Sequence, residues 1–193
     1  MGAGTRRVAV LDHGMGNLRS VAKALEAAGA DVVVTATARE LEAADGLCVP
    51  GQGIFGRCVS NLRRLGLDSF VRSWVSDGKP FLGICLGMQV LFEACEEGAG
   101  EPGLGLFEGK VVRLPDKVPV PHIGWNTVNG EYFYFDHSFA VQPRGDEHVR
   151  GWCEHGDRFA AWIERDGLLA VQFHPEKSGT AGIGLLKEWA GSI

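Results

Sequence analysis

Short apolar runs set apart by polar, glycine-bearing turns dominate the first half of the chain. RVAVLD (Arg6 to Asp12), DVVVTA, GLCVPG and KPFLGIC each read as a buried strand: almost every position is apolar, and each run is too short for a core helix. Between them the period changes. Asn17 to Ala28 places Leu18, Val21, Ala22 and Leu25 on one helical face and stops at Gly29, and TARELEAA is a short helix. Leu62 to Ser76 reads as a third helix with Leu62, Leu65, Phe70 and Trp74 as its apolar positions. Strands alternating with helices predict a mainly parallel sheet covered on both faces, with functional groups at the carboxyl ends of its strands.

The second half has a different rhythm. KVVRLP, PHIGWNTV, EYFYFDHSFAV, RFAAWIE and LLAVQFHP are strand-like with few helices between them, which predicts an antiparallel extension, and Gly179 to Trp189 closes the chain as a helix. No internal repeat, low-complexity tract or linker interrupts this order, so residues 1–193 are expected to form a single domain.

Composition removes several function classes. A net charge of -5 without a basic run gives phosphates little to bind, so nucleic acid is not an expected partner. No apolar run approaches the roughly 18 residues needed to span a bilayer. MGAGTRRVAVLD runs directly into a strand, lacks a signal-peptide core and places Arg6 where myristoylation wants Ser or Thr, so a cytoplasmic location is expected. The 5 cysteines (Cys48, Cys58, Cys85, Cys95 and Cys153) are an odd number without a CxxC pair, which speaks against a disulfide framework. Cys153 and His155 form a CxH with no second ligand pair, so no metal site is expected.

One cysteine stands apart. In PFLGICLGMQVLFEA, Cys85 lies between Gly83 and Gly87 where an apolar strand is expected to turn into a helix carrying Met88, Leu91, Phe92 and Cys95 on one face. GxCxG is the cysteine counterpart of the GxSxG elbow, in which glycines tolerate a strained turn that lifts the nucleophile clear. The positive end of a helix dipole would face such a sulfur. The bland alternative is a core cysteine in a tight turn.

A nucleophile needs a base, and a base needs an orienting group. LLAVQFHPEKS supplies His174 and Glu176; two residues apart in extended chain, both can face one site, with Pro175 stiffening the link. An oxyanion would be held by backbone N–H groups: that of Leu86, next after the cysteine, and one from the glycine-rich PGQG loop at Gly51 and Gly53.

GICLGMQ together with VQFHPEKS resembles the class I (triad) glutamine amidotransferases. That resemblance implies a flavodoxin-like three-layer α/β/α fold and hydrolysis of L-glutamine to glutamate and ammonia, without a cofactor. Residue by residue it implies Cys85 as the thioester-forming nucleophile, His174 as acid and base, Glu176 as its support, and Gln89, Glu97, Ser138 and Phe139 as contacts to glutamine. MGNLRSV, PGQGIFG, Met88, PHIGWN and YFYFDHS resemble the glutaminase subunits that serve imidazole glycerol phosphate synthase. The implied partner is a HisF-type (β/α)8-barrel cyclase. Ammonia would pass to PRFAR there, yielding imidazole glycerol phosphate and AICAR, with Asn17, Trp125 and Lys177 on the docking face. Asn17 is equally a helix N-cap, and Trp125 could be core. The oxyanion loop would become competent only with the cyclase docked and its substrate bound.

The chain departs from that pattern in PGQG, where PGVG is common, and in YFYFDHSF, where Asp136 replaces an apolar residue and Phe139 a tyrosine. Glutaminase subunits serving anthranilate or aminodeoxychorismate synthesis resemble GVCLGHQ, with His in place of Met88, and lack PHIGWN. A nucleotide-binding module around HGMGN fails because Arg19 stands at the third glycine position of GxGxxG. A catalytically silent regulatory protein on the same fold would need no intact triad.

Overall fold

The computed structural model describes residues 6–98 and 100–193; the expectation for residues 1–5 lies outside them. β1 (Arg7–Leu11), α1 (Leu18–Ala27), β2 (Asp31–Thr35), α2 (Ala38–Glu42) and β3 (Gly46–Val49) alternate as the hydrophobic pattern predicts. α3 (Phe55–Arg64), α4 (Leu67–Ser76) and β4 (Phe81–Ile84) follow. The expected helix from Leu62 to Ser76 is therefore two helices. Gly66, at φ 68°, takes the left-handed conformation that ends the first of them.

The segment after Cys85 departs further from expectation. α5 (Leu86–Gln89) is a single turn, and the chain re-enters a sheet as β5 (Phe92–Cys95). Val90 and Leu91 carbonyls accept from Leu104 N–H at 2.7 Å and Leu106 N–H at 2.8 Å, so the next segment captures the backbone that a longer helix would need. Met88, Val90, Leu91 and Phe92 are all fully buried; helical periodicity could not distinguish this run from a strand enclosed on both sides.

The remaining elements are β6 (Phe107–Arg113), β7 (His122–Val128), β8 (Glu131–His137), β9 (Phe139–Pro143), β10 (Val149–His155), β11 (Asp157–Arg165) and β12 (Leu168–Val171). A 3-10 turn (Pro175–Lys177) and α6 (Gly179–Ser192) close the fold. EYFYFDHSFAV is thus two strands that part at Ser138, and each joins a different sheet.

The main sheet runs β2-β1-β3-β4-β12-β11-β9-β6-β5, with β10 paired to β11. β2 through β12 in that order are parallel. The β12–β11, β11–β9 and β9–β6 pairings are antiparallel. The sheet separates two apolar layers. Ala9, Leu11, Leu47, Val49 and Phe81 pack with Phe55, Val59, Val71 and Trp74 of α3 and α4. Val8, Val10, Leu82 and Ile84 pack with Val21, Leu25, Leu186 and Trp189 of α1 and α6. Alternate side chains of each central strand therefore serve opposite layers, which is why the strands read as unbroken apolar runs. β7 and β8 form a separate antiparallel hairpin that meets α6 and the 3-10 turn.

Candidate active site

Cys85 stands at the carboxyl end of β4, in the middle of the parallel sheet, at φ 53° and ψ −107°. A non-glycine residue there carries strain of about 1–3 kcal/mol, which the surrounding structure must hold. Its N–H donates to Val171 O at 2.7 Å, and its carbonyl accepts from Met88 N–H at 3.0 Å and Gln89 N–H at 3.1 Å. The flanking glycines are required by close approach: a Cβ on Gly87 would lie 1.8 Å from Val49 O, and one on Gly83 2.9 Å from Gly87 O. Because α5 is one turn long, its dipole contributes less than the sequence pattern suggests.

His174 and Glu176 arrive at the end of the neighbouring strand, β12. His174 N–H donates to Tyr134 O at 2.8 Å, and its carbonyl accepts from Ser178 Oγ at 2.6 Å. The chain does not stay extended beyond His174. The 3-10 turn at Pro175–Lys177 swings Glu176 back so that Oε1 lies 2.7 Å from His174 Nδ1, with both side chains almost fully buried. The pairing expected from extended geometry is thus made by a turn.

Burial pulls the His174 imidazole down, but the Cys85 sulfur and the Glu176 carboxylate outweigh it and raise its pKa to about 10. Cys85 is close enough to exert that pull, yet His174 Nε2 makes no hydrogen bond. The sulfur instead accepts from Gln172 Nε2 at 3.5 Å. Burial lifts the other thiols: Cys58 and Cys153 to about 12, Cys95 to about 11, and Cys48 well above its ordinary value. They are core residues, poorly disposed to react.

A pocket of about 320 Å³ opens on Cys85, lined also by Gln52, Gly53, Leu86, Gln89, Glu97, Asp136, His137, Ser138 and Phe139. All four residues expected to contact glutamine are therefore brought to one cavity. Gln89 Nε2 donates to Phe139 O at 2.8 Å and to Gln172 Oε1 at 3.0 Å, while Glu97 Oε2 accepts Phe55 N–H at 2.7 Å. Of the expected oxyanion donors, Leu86 and Gly53 line the pocket, whereas Gly51 lies behind it against Leu86.

His13 is a residue that sequence reasoning missed. It is completely buried, donates from Nε2 to Pro50 O at 2.7 Å, and receives Asn61 Nδ2 on its own carbonyl at 2.9 Å. The HGMGN turn thus backs the PGQG loop, a contact between segments far apart in sequence. Gln172, one residue beyond β12, was equally hidden because an apolar strand end gives no sign of a buried amide network.

The expected docking residues are separate from the pocket. Asn17 is exposed and caps α1, accepting Ser20 N–H at 3.3 Å. Trp125 is 56% exposed on β7, which excludes a core role, and packs edge-on to Tyr134. Lys177 Nζ lies 3.4 Å from Asp136 Oδ2 and over the Tyr134 ring, so the unusual acid at 136 has a partner within this chain.

A cysteine on a strained strand-end turn, backed by a buried His–Glu pair, is the geometry of a nucleophile with its acid–base partner. The sequence model for "Glutamine amidotransferase class-I" matches residues 9–189. The chain belongs to the class I glutamine amidotransferases. Among curated relatives, this amidotransferase is 45% identical to "Imidazole glycerol phosphate synthase subunit HisH" of Moorella thermoacetica, over 95% of this chain and 94% of that one. The HisH subunit of Symbiobacterium thermophilum is 43% identical, over 95% and 92%. The HisH subunit of Aquifex aeolicus is 45% identical, over 95% of both chains. A solved structure described as a glutamine amidotransferase superposes with a TM-score of 0.75 at 24% identity, covering 95% of this chain and 98% of that one; it supports the three-layer fold alone.

Proposed function

We infer that this chain is the glutaminase subunit of an imidazole glycerol phosphate synthase. It hydrolyses L-glutamine and passes the ammonia to a HisF-type cyclase in histidine biosynthesis. The observation that carries the chemistry is the convergence, at adjacent strand ends, of Cys85 with a His174–Glu176 pair held at 2.7 Å. The subunit assignment rests on the family match and on the relatives' shared identity.

In this reading the Cys85 sulfur attacks the side-chain carboxamide carbon of glutamine, and the oxygen takes the negative charge. Leu86 N–H and a peptide N–H of the PGQG loop at Gly51–Gly53 stabilise that oxyanion. His174, held protonated by its neighbours, gives its proton to the departing nitrogen, so the C–N bond breaks as ammonia leaves and a thioester remains. The neutral imidazole then takes a proton from water, which attacks the thioester; glutamate leaves and the sulfur is restored. Glu176 fixes the ring by accepting from Nδ1. Gln89, Glu97 and the Ser138–Phe139 backbone hold the substrate.

Asn17, Trp125 and Lys177 form the face for the cyclase, where PRFAR receives the ammonia and is converted to imidazole glycerol phosphate and AICAR. No helix among the described residues is long and apolar enough to cross a membrane; in this reading the chain is one glutaminase domain that works in the cytoplasm. Glutamate release is the test, measured for the protein alone, with a HisF-type cyclase, and with cyclase plus PRFAR, each beside Cys85→Ala. Strong Cys85-dependent release in the full mixture alone is the expected result. Cys85-dependent release indifferent to the cyclase would retain the glutaminase and remove the partner.

A further inference from the structure

Three histidines outside the triad lie together beneath the β7–β8 hairpin. His122 and His137 are cross-strand partners, both buried. His122 Nδ1 is 3.1 Å from His137 Nε2, and His137 Nδ1 is 2.9 Å from Phe139 O. The His155 ring stacks on His122 at 4.0 Å, and its Nε2 lies 2.8 Å from Pro119 O. Phe135 and Phe159 enclose the group.

The hydrogen positions in this chain are determined by its ends. A carbonyl can only accept, so His137 Nδ1 carries the proton that bonds Phe139 O. In a neutral ring its Nε2 is then an acceptor, and His122 Nδ1 must donate to it. At the other end, Thr127 N–H donates to Asn126 Oδ1 at 2.8 Å, which fixes that amide and leaves its Nδ2 facing His122 Nε2 at 3.3 Å. Donation thus runs one way, from Asn126 through His122 and His137 to Phe139 O. That carbonyl also accepts from Gln89, which in turn bonds the Gln172 amide that touches Cys85.

We propose that His122 and His137 act as a positioning pair for glutamine, holding the Phe139 carbonyl and, through it, Gln89 at the pocket wall while taking no part in the thiol chemistry. This rests on the glutaminase reading above. Both rings are kept neutral: burial, and the neighbouring His155, push His122 down to about 4, and burial, with His122, His174 and His155 nearby, pushes His137 down to about 3. Apart from these histidines, the groups facing His137 across the pocket are Cys85, Glu97 and its strand neighbour Asp136, which lies beside Lys177.

The first test needs no turnover. In ¹⁵N-labelled full-length protein, side-chain NMR is expected to show His122 and His137 both neutral with the proton on Nδ1, and unchanged through pH 6. A proton on Nε2 of His137, or a midpoint near the ordinary 6.5 for either ring, would overturn the pair whatever the activity. The second test is kinetic, in the complex with the cyclase and its substrate. His122→Phe removes the donor and is expected to raise the KM for glutamine about tenfold, with kcat within about threefold, as for loss of one buried hydrogen bond. His122→Gln keeps a donor and should restore most of that loss. Equal effects of Phe and Gln, or a fall in kcat with KM unchanged, would refute the positioning role. Absence of Cys85-dependent glutamate release from the wild-type complex would instead count against the glutaminase reading, leaving the NMR result to stand on its own.

Discussion

The two walls of the pocket are built in different ways. The wall carrying Cys85 sits on the central parallel strands, where β4 and β12 are enclosed by helices on both faces and backbone geometry does the positioning. The facing wall, from Asp136 to Phe139, lies where the chain leaves a two-stranded hairpin for the main sheet, and its geometry depends on side chains: a histidine pair, two glutamines and a lysine. The first wall is rigid because nothing larger than glycine fits at Gly83 and Gly87. The second is held by hydrogen bonds that protonation or a single substitution can remove. In the proposed mechanism the reacting sulfur belongs to the rigid side, and the histidine pair proposed to position the substrate belongs to the adjustable one.

Substitutions on the rigid side should be the more severe. Cys85→Ala is expected to reduce glutamate release by about 10⁴-fold or more while leaving the far-UV circular dichroism unchanged, since it removes the nucleophile and little packing; retained release would overturn the assignment of the sulfur. Gly87→Ala places a methyl into Val49 O and should destabilise the fold by roughly 3 kcal/mol or more, read as a lowered denaturant midpoint. A stable Gly87→Ala protein would show that the turn is looser than its contacts imply.

The adjustable side responds to acid. His137 is depressed in the folded state, so its contribution to stability is present above pH 6.5 and is lost as pH falls toward about 3. From His137 alone the loss should reach about 2 kcal/mol by pH 5, and His137→Phe should flatten that part of the unfolding profile. An unchanged pH slope in the variant would place the acid sensitivity elsewhere. The smallest effect is expected at Asp136. Its pairing with Lys177 is half-exposed, so Asp136→Asn should cost under about 1 kcal/mol of stability in the isolated chain. A double-mutant cycle with Lys177→Met measures that pair directly, and a coupling well above this value would mean that the lysine is held far more firmly than its exposure suggests.

Much of the rigid side was legible in advance. GICLG and HPE announced themselves because a nucleophile on a strained turn needs particular residue types at fixed spacing, and the strands that carry them are continuous apolar runs. The element following Cys85 was not. Leu91 and Phe92 suit a helix face and a buried strand equally, and only the captured carbonyls of Val90 and Leu91 decide for the strand. Nor did the sequence mark Gln172 or His13, whose partners come from segments distant in the chain, or the His122–His137 pair, which the register of the β7–β8 hairpin brings together.

The buried parallel strands β1 to β4, the elbow cysteine and the histidine and glutamate beyond β12 were determined by the sequence itself, since local periodicity and short-range chemistry are written in neighbouring residues. Tertiary structure alone decided how the walls meet. Which ring faces His137, which loop His13 supports and which acid faces Lys177 all depend on how strands and loops come together in space, and no local pattern encodes that arrangement.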